Sequence, residues 1–421
     1  MGSRPAAAPW ERWGPALLLG LAVAGYPLAS YLPELLGVGS RAVSVPYRAV
    51  FLALAGFVFV DAFGRRRFGQ PWWLWLLIGT FWLLYLFRLT LDASVWAASL
   101  RLPWHEYALW AVGGSLVPFL AAAATPPRGA LKLALPVTLT LLGLAAGSAV
   151  LGFLLRGGFV VTGIRRFSGS SALGSIWFGH LGASLAIVST FVVLRGRLPS
   201  RTRTAVVVGL LVLGLAVVGL SASRGPALAL AAAAVLLVAS RWRRGSRLRV
   251  AVLVATVVAA GLWVLDELGG RLLIRIGQLA AGELPGRRAE LYGRTLEQFR
   301  QHPFIGSGLE EQVTGYYPHN VLLEGFMSTG VVGGLALTLL VAVALVVALR
   351  LLWRAPEHGW VSLLFLQYAL AAMLSSALYM STTMWTYLGA VLALGWSVRT
   401  PAAPAPVLTG DSGAPDLPAR R

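Results

Sequence analysis

Apolar residues in this chain come in long unbroken runs parted by short polar stretches. The runs are too long for strands and too uniformly apolar for the one-sided helices of a soluble domain. A helix needs about 20 apolar residues to cross a bilayer core, and helices satisfy the backbone where water is absent. The pattern predicts twelve spans, at about 15–33, 43–63, 71–91, 105–125, 133–155, 176–194, 205–221, 225–240, 250–265, 321–349, 360–379 and 384–398. Only Ser221-Ala222-Ser223-Arg224 separates the seventh from the eighth. The chain then divides into helices one to nine (1–265), a helical loop (266–320), helices ten to twelve (321–398) and a disordered tail (399–421) rich in Pro, Ala and Gly. No cleavable signal peptide is expected, because the first run opens a series of similar runs rather than ending in a processing site.

The loop from about Asp266 to Pro318 breaks the rhythm, since loops much beyond roughly 15 residues are functional or disordered. Leu284-Pro285-Gly286 interrupts it, and Arg288 to Arg300 reads as an amphipathic helix with Leu291, Thr295, Leu296 and Phe299 at helical spacing. His302-Pro303-Phe304 stops that helix. Gly306-Ser307-Gly308 makes a turn, and Tyr316-Tyr317-Pro318-His319-Asn320 leads into span ten. A histidine therefore stands at the mouth of a transmembrane helix.

Composition narrows the class. Of 421 residues, 57% are hydrophobic and 12% charged, against roughly 25% charged in soluble domains, which excludes an ordinary soluble enzyme. The net charge of +19 comes from 35 basic residues, all arginine except Lys132, against 16 acidic ones. Such a balance can signal nucleic acid, but here no nucleic-acid partner is expected, because alternate loops collect the charge as the positive-inside rule demands. Arg65-Arg66-Arg67, Arg128 with Lys132, the Arg195–Arg203 and Arg241–Arg249 sets, and Arg350 with Arg354 share one face with both termini. That face is cytoplasmic. Absence of cysteine excludes disulfides, a thiol nucleophile and zinc-thiolate sites. No His, Asp or Glu grouping has metal-ligand spacing and no Asp-x-Asp pair occurs, so neither a metal nor a cofactor is expected.

The outer face keeps arginines that topology would thin out, among them Arg41, Arg48, Arg88, Arg101, Arg224, Arg287 and Arg288. Arginine offers a planar fork that suits phosphate, so a lipid phosphate or diphosphate is one reading. Pairing with loop acids such as Glu290, Glu297, Glu310 and Glu311 is the other. Arg224 is singled out because its short hairpin keeps the guanidinium close to the bundle. His319 reads equally as a general base or as an interfacial histidine beside Tyr316 and Tyr317. Asn320 can cap the helix or orient the ring, and His180, inside span six, can line a cavity.

Five segments in order, Ser223-Arg224-Gly225, Gly286-Arg287-Arg288-Ala289-Glu290-Leu291-Tyr292, His302 to Gly308, Pro318-His319-Asn320-Val321-Leu322-Leu323-Glu324 and Gly330-Val331-Val332-Gly333, resemble the O-antigen ligase / O-antigen polymerase superfamily. The resemblance implies an all-α, GT-C-like integral membrane protein with about twelve transmembrane helices and one large periplasmic loop between spans nine and ten. It sits in the bacterial inner membrane, with cytoplasmic termini and a periplasmic active site. The implied activity is metal-independent, inverting glycan transfer from an undecaprenyl-diphosphate-linked donor. The acceptor is lipid A-core for a ligase, the reading preferred, or a second carrier-linked glycan for a polymerase. Carried over residue by residue, His319 is the general base, and Arg224 and Arg288 hold the diphosphate. Arg287 competes with Arg288; the spacing Arg288-x-x-Leu291-Tyr292 favours the latter. Asn320, Tyr292, Tyr317 and His180 are supporting candidates. Ser328-Thr329 stand before Gly330 where relatives often carry an acid. A transporter or lipid-linked-glycan flippase is the reading from another class, opposed by spans nearly free of charge.

Overall fold

The computed structural model describes residues 8–95, 100–126, 129–156, 160–162, 166–168, 170, 172–195, 200–241 and 286–397. The expected ninth span, the first part of the long loop and the C-terminal tail lie outside these residues, as does the side chain of Arg287. The described chain is helical throughout, apart from one small hairpin. In order come α1 (Pro9–Ala29), α2 (Leu32–Leu36), α3 (Ser40–Gly64), α4 (Trp72–Ser94), α5 (Trp104–Ala123) and α6 (Ala130–Arg156). The hairpin β1 (Val160–Thr162) and β2 (Arg166–Ser168) pairs antiparallel with Val161 opposite Phe167. Then follow α7 (Ser175–Leu194), α8 (Arg201–Ser221), α9 (Arg224–Arg241), α10 (Gly286–Gln301), α11 (Val321–Arg354), α12 (Gly359–Ser375) and α13 (Thr382–Ser397).

Among the described residues, eight helices are long and apolar enough to cross a membrane, namely α3 to α8, α11 and α12. Helix α9 is a shorter apolar helix, and α1 and α13 fall on the first and last expected spans. Large apolar side chains face outward, such as Trp72 (76% exposed), Phe63 (68%) and Val60 (67%). A surface of this kind suits lipid and would be a liability in water. The inner faces make one continuous core in which Phe81 and Trp82 of α4 meet Trp385 of α13, at ring-centroid separations of 5.7 and 4.9 Å. Helices α7 and α8 approach through Gly182 and Gly214, where a side chain on either would meet the other helix's backbone. At the end of α3 that carries the arginine triplet, Arg65 and Arg67 reach Glu11 of α1 at 3.1 and 2.8 Å. The residues expected to set topology therefore also tie two helices together.

Two boundaries differ from expectation for backbone reasons. The first helix starts at Pro9, because proline is well tolerated at a helix start. Span ten extends to Arg354 and is interrupted at Gly330 (φ 68°, ψ −167°). The segment after α10 docks into that interruption. The Val331 N–H donates to the Pro303 carbonyl (2.6 Å), and the Ser307 N–H donates to the Met327 carbonyl (2.9 Å). Close approach demands glycine on both sides. A Cβ on Gly330 would run into the Phe304 carbonyl, and one on Gly306 (φ 68°) would lie 2.5 Å from the Met327 oxygen.

Arg88 of α4, 2% exposed, locks this joint. Its Nε donates to the Ser328 carbonyl (3.2 Å), and its Nη2 donates to the carbonyls of Ile305 (2.9 Å) and Gly306 (2.7 Å). Asp92 sits one turn on, 3.4 Å from Arg88 Nη1, and accepts the Leu309 N–H at 2.9 Å. Arg88, expected among the outer-face arginines, meets here the loop expected on that same face. Arg88 and Asp92 are buried in the last two turns of α4, where loop carbonyls, the Ser328 carbonyl of α11 and a loop N–H satisfy them.

Gly330→Ala is expected to lower the thermal unfolding midpoint in detergent by the equivalent of about 1–3 kcal/mol, the cost of a strained backbone position. Gly79→Ala in α4, which meets nothing within 4 Å, should be neutral or slightly stabilising. Equal effects from the two variants would refute this account of the joint.

Candidate functional site

Downstream of the joint the chain is fixed residue by residue as far as α11. Helix α10 buries Thr295 and Gln298 and packs Phe299 on Phe326 of α11 (5.5 Å), while Leu296, expected on the buried stripe, faces outward at 39% exposure. Gln298 donates to the Glu310 carbonyl (3.3 Å) and accepts the Gln312 N–H (3.1 Å). Glu311 closes the next turn by accepting the N–H groups of Val313 and Thr314, both at 2.9 Å, and the Thr314 hydroxyl at 2.6 Å. These bonds hold its carboxyl below the usual range even though burial pushes the other way. The Glu311 N–H also donates to the Tyr316 carbonyl (2.9 Å).

Glu310 points inward, 5% exposed. It accepts the Tyr107 hydroxyl (2.6 Å) and the Arg101 N–H (3.1 Å), and lies 3.9 Å from the Arg101 guanidinium. Arg101 in turn covers the Tyr316 ring at 4.9 Å. From Tyr107 a row of rings runs to Tyr379 (4.9 Å), on to Tyr317 (6.3 Å) and then to His319 (4.5 Å). The half-buried His319 is therefore positioned by stacked aromatic edges. Burial, reinforced by the Glu324 carboxyl, pushes the Tyr317 hydroxyl up.

The backbone of His319 is left-handed (φ 57°), uncommon for a residue with a side chain. It turns the chain directly into α11, and Asn320 caps that helix by accepting the N–H groups of Leu322 (3.1 Å) and Leu323 (3.0 Å). Of the two roles open to Asn320, the cap is the one observed. Nδ1 of His319 is buried without a hydrogen-bond partner. Burial first, then the positive charges of Arg288 and Arg101, hold the imidazole below its ordinary pKa, while a hydrogen bond to the backbone of Ser375 works the other way. These influences together favour the neutral imidazole over the protonated one.

Arg288 is exposed near the start of α10, within electrostatic reach of His319. Tyr292, one turn on, is half-buried. Arg224 opens α9 directly after Ala222, another left-handed residue (φ 47°), and Ser223. Ser221 and Ser223 knit this hairpin together by local hydrogen bonds. A Cβ on Gly225 would lie 3.9 Å from His180 Nε2, which sets the Arg224 hairpin beside the buried His180. That ring packs 5.8 Å from Tyr368 of α12. The structure thus brings His319 within the field of Arg288 and sets the Arg224 hairpin beside His180, and both histidines reach α12, at Ser375 and Tyr368.

Other loop arginines follow the plainer reading: Arg294 pairs with Glu290 (2.6 Å) and Arg300 with Glu297 (3.9 Å). Among the described residues no three His, Asp or Glu side chains gather to hold a metal ion. The sequence reasoning missed the roles of Tyr107, Tyr379 and the buried Glu324, whose Oε2 accepts the Leu378 N–H at 3.0 Å. Glu324 carried a signal, an acid one turn into an apolar span. The two tyrosines carried none.

Residues 209–338 match the model of a family described as O-antigen ligase. The resemblance to the O-antigen ligase / O-antigen polymerase superfamily therefore holds over a stretch that contains Arg224, Arg288 and His319. No curated protein and no solved structure matches the chain.

Tyr107→Phe is expected to lower stability by about 1.5–3 kcal/mol, because it strips a buried carboxylate of its shortest hydrogen bond. An unchanged unfolding midpoint in detergent would show that Glu310 does not depend on that hydroxyl.

Proposed function

We propose that the chain moves a glycan from an undecaprenyl-diphosphate-linked donor to an acceptor hydroxyl at the outer face of the bacterial inner membrane. The observation that carries the reading is His319: an imidazole at the mouth of α11, held toward its neutral form by burial and the field of Arg288, on the segment matching the O-antigen ligase family. In this scheme His319 takes the proton from the acceptor hydroxyl. The freed oxygen attacks the anomeric carbon from the side opposite the diphosphate, and the bond to the diphosphate oxygen breaks with its electron pair. The anomeric centre inverts, the polyprenyl diphosphate leaves with one more negative charge, and His319 later releases its proton to water. Arg224 and Arg288 stabilise the charge that develops on the leaving group, the task a divalent ion performs elsewhere. The scheme is accordingly metal-independent.

The topology that goes with this reading has twelve spans in a GT-C-like arrangement, both termini cytoplasmic and the site facing the periplasm. Ligase activity with lipid A-core as acceptor is preferred, and polymerase activity with a second carrier-linked glycan is the alternative. Supplying the purified protein with a carrier-linked glycan and each acceptor in turn separates them by which acceptor is extended. A transporter is disfavoured by Arg88 and Asp92. These buried charges are consumed in holding backbone groups of the joint rather than lining a path.

His319→Ala is expected to reduce transfer at least as much as loss of a general base does, about 10²–10⁴-fold, in EDTA-containing buffer and with the protein still folded. Full activity in that variant would remove His319 from the mechanism.

The pH profile supplies a second test. Because the folded imidazole titrates below the ordinary histidine value, activity should hold through neutral pH and fall only as acid protonates the ring. Arg288→Ala removes a positive charge that opposes protonation, so its acidic limb should move to higher pH and its use of the donor should weaken. A limb that stays in place with unaltered donor use would refute the role of Arg288.

A further inference from the structure

Away from His319, a cavity of about 290 Å³ opens between α1, α3, α5, α7, α12 and α13. It is close to the lower end of ligand sites, roughly 300–1,000 Å³. Val23, Phe51, Leu109, Leu173 and Met380 make its walls apolar, and Arg48 of α3 brings the one cationic side chain to its lining. That guanidinium is stacked on the Trp110 ring at 3.6 Å, with the Tyr26 ring at 5.9 Å and the Tyr26 hydroxyl as a hydrogen-bond partner. Its Nε is buried without a hydrogen-bond partner. No described ion pair includes Arg48. Glu106, the acid whose field reaches it, is paired with Arg41 at 3.6 Å. An arginine held on the Trp110 face and by the Tyr26 hydroxyl in an apolar wall, with its Nε donor left over, is arranged for an anion that brings its own oxygens.

Helix α5 adds an independent pointer. Its middle, Leu109–Leu116, is a π-helix, a geometry rare in ordinary helices and frequent at functional sites. The widened turns present Trp110, Gly113 and Gly114 to the cavity. A side chain on Gly114 would crowd Thr382 (3.2 Å) and Trp110 (3.4 Å), so the glycine keeps the space open.

The cavity is also next to the candidate site. Met380 lines it, while the preceding residue, Tyr379, belongs to the row of rings that ends on His319. Ser115 of the π segment donates to the Tyr379 carbonyl at 3.0 Å. One loop therefore has the cavity on one side and His319 on the other.

We propose that this cavity binds a lipid phosphate, with the phosphate oxygens on the Arg48 fork and the hydrocarbon chain along the apolar walls. An apolar chain alone would not call for a half-buried arginine in the wall, and a free phosphate would leave the walls unused. Binding stands by itself; its use in catalysis rests on the transfer reading above, whose donor and acceptors all carry phosphate on a lipid anchor.

The test uses full-length protein in detergent, offered phosphatidic acid or undecaprenyl phosphate, and separately their phosphate-free counterparts diacylglycerol and undecaprenol. Retained lipid is counted by native mass spectrometry. The phosphate forms should be retained about tenfold or more over the neutral ones. Arg48→Ala should lose that margin and Arg48→Lys keep part of it, since lysine holds the charge but not the fork. Should Arg48→Ala fail to fold, Gly114→Leu fills the cavity with Arg48 intact and should lose retention equally. Preference for the diacyl or the polyprenyl phosphate identifies the source, and either supports the site. Equal retention of neutral and phosphate lipids, or wild-type retention in the variants, overturns it. Because retention is read without a transfer assay, a chain that binds through Arg48 yet moves no glycan refutes only the transfer reading.

Discussion

A helix that breaks inside an apolar medium strands backbone groups that water cannot reach. At Gly330 the chain answers this with its own backbone. The strand of loop from Pro303 to Leu309 lies in the break, accepts from Val331 and donates to the Met327 carbonyl. The geometry of the candidate site is inherited from this joint. Leu309 is pinned by Asp92, Glu310 follows directly and is held by Tyr107 and Arg101, and nine residues later comes His319. Loosening the joint would move the loop before it touched the histidine.

Arginine is suited to the central position of that joint for a geometric reason. Its planar fork has donors in fixed directions, and here Nε and Nη2 reach three carbonyls from two separate pieces of chain. A lysine would offer one point charge. The accompanying Asp92 keeps the buried cation compensated, and removing one member of such a pair costs more than the pair contributes, because the remaining charge stays buried. The joint is therefore a specificity device as much as a stabilising one. It makes the two chain segments meet in one register.

The helices were legible because each buries or presents a long apolar run, and eleven of the twelve expected runs fall on described helices. The site was legible in part. The His302-Pro303-Phe304 stop and the Gly306-Ser307-Gly308 turn stand out in sequence, yet nothing local says that they fill a gap in a helix some 25 residues later. Arg88 was counted among rim arginines because a single charge near a span end has two destinations, headgroup or interior, and sequence gives no partner to choose between them. The carbonyls that hold it lie more than 200 residues away. Glu310 met the same obstacle, since Tyr107 is 203 residues distant. Asn320 was easier, because a cap is a local bond.

Two of the three non-glycine residues with left-handed backbones among those described are Ala222 and His319. One comes two residues before Arg224, and the other is the candidate base itself. Each turns the chain at a helix start, so that a candidate side chain is set by the backbone turn as well as by its own rotamer. Such conformations cost free energy and persist only where the surroundings over-determine them. Around His319 the surroundings do so: the Asn320 cap below, the Tyr317 ring beside and the Ser375 backbone opposite. Around Ala222 the serine hydroxyls of the hairpin do the same. One strained turn thus falls at the residue proposed to take the acceptor's proton, and the other lies two residues before one of those proposed to hold the leaving diphosphate. In the proposed mechanism this would fix the base and an anion holder before substrate arrives, leaving little reorganisation for the transition state to demand.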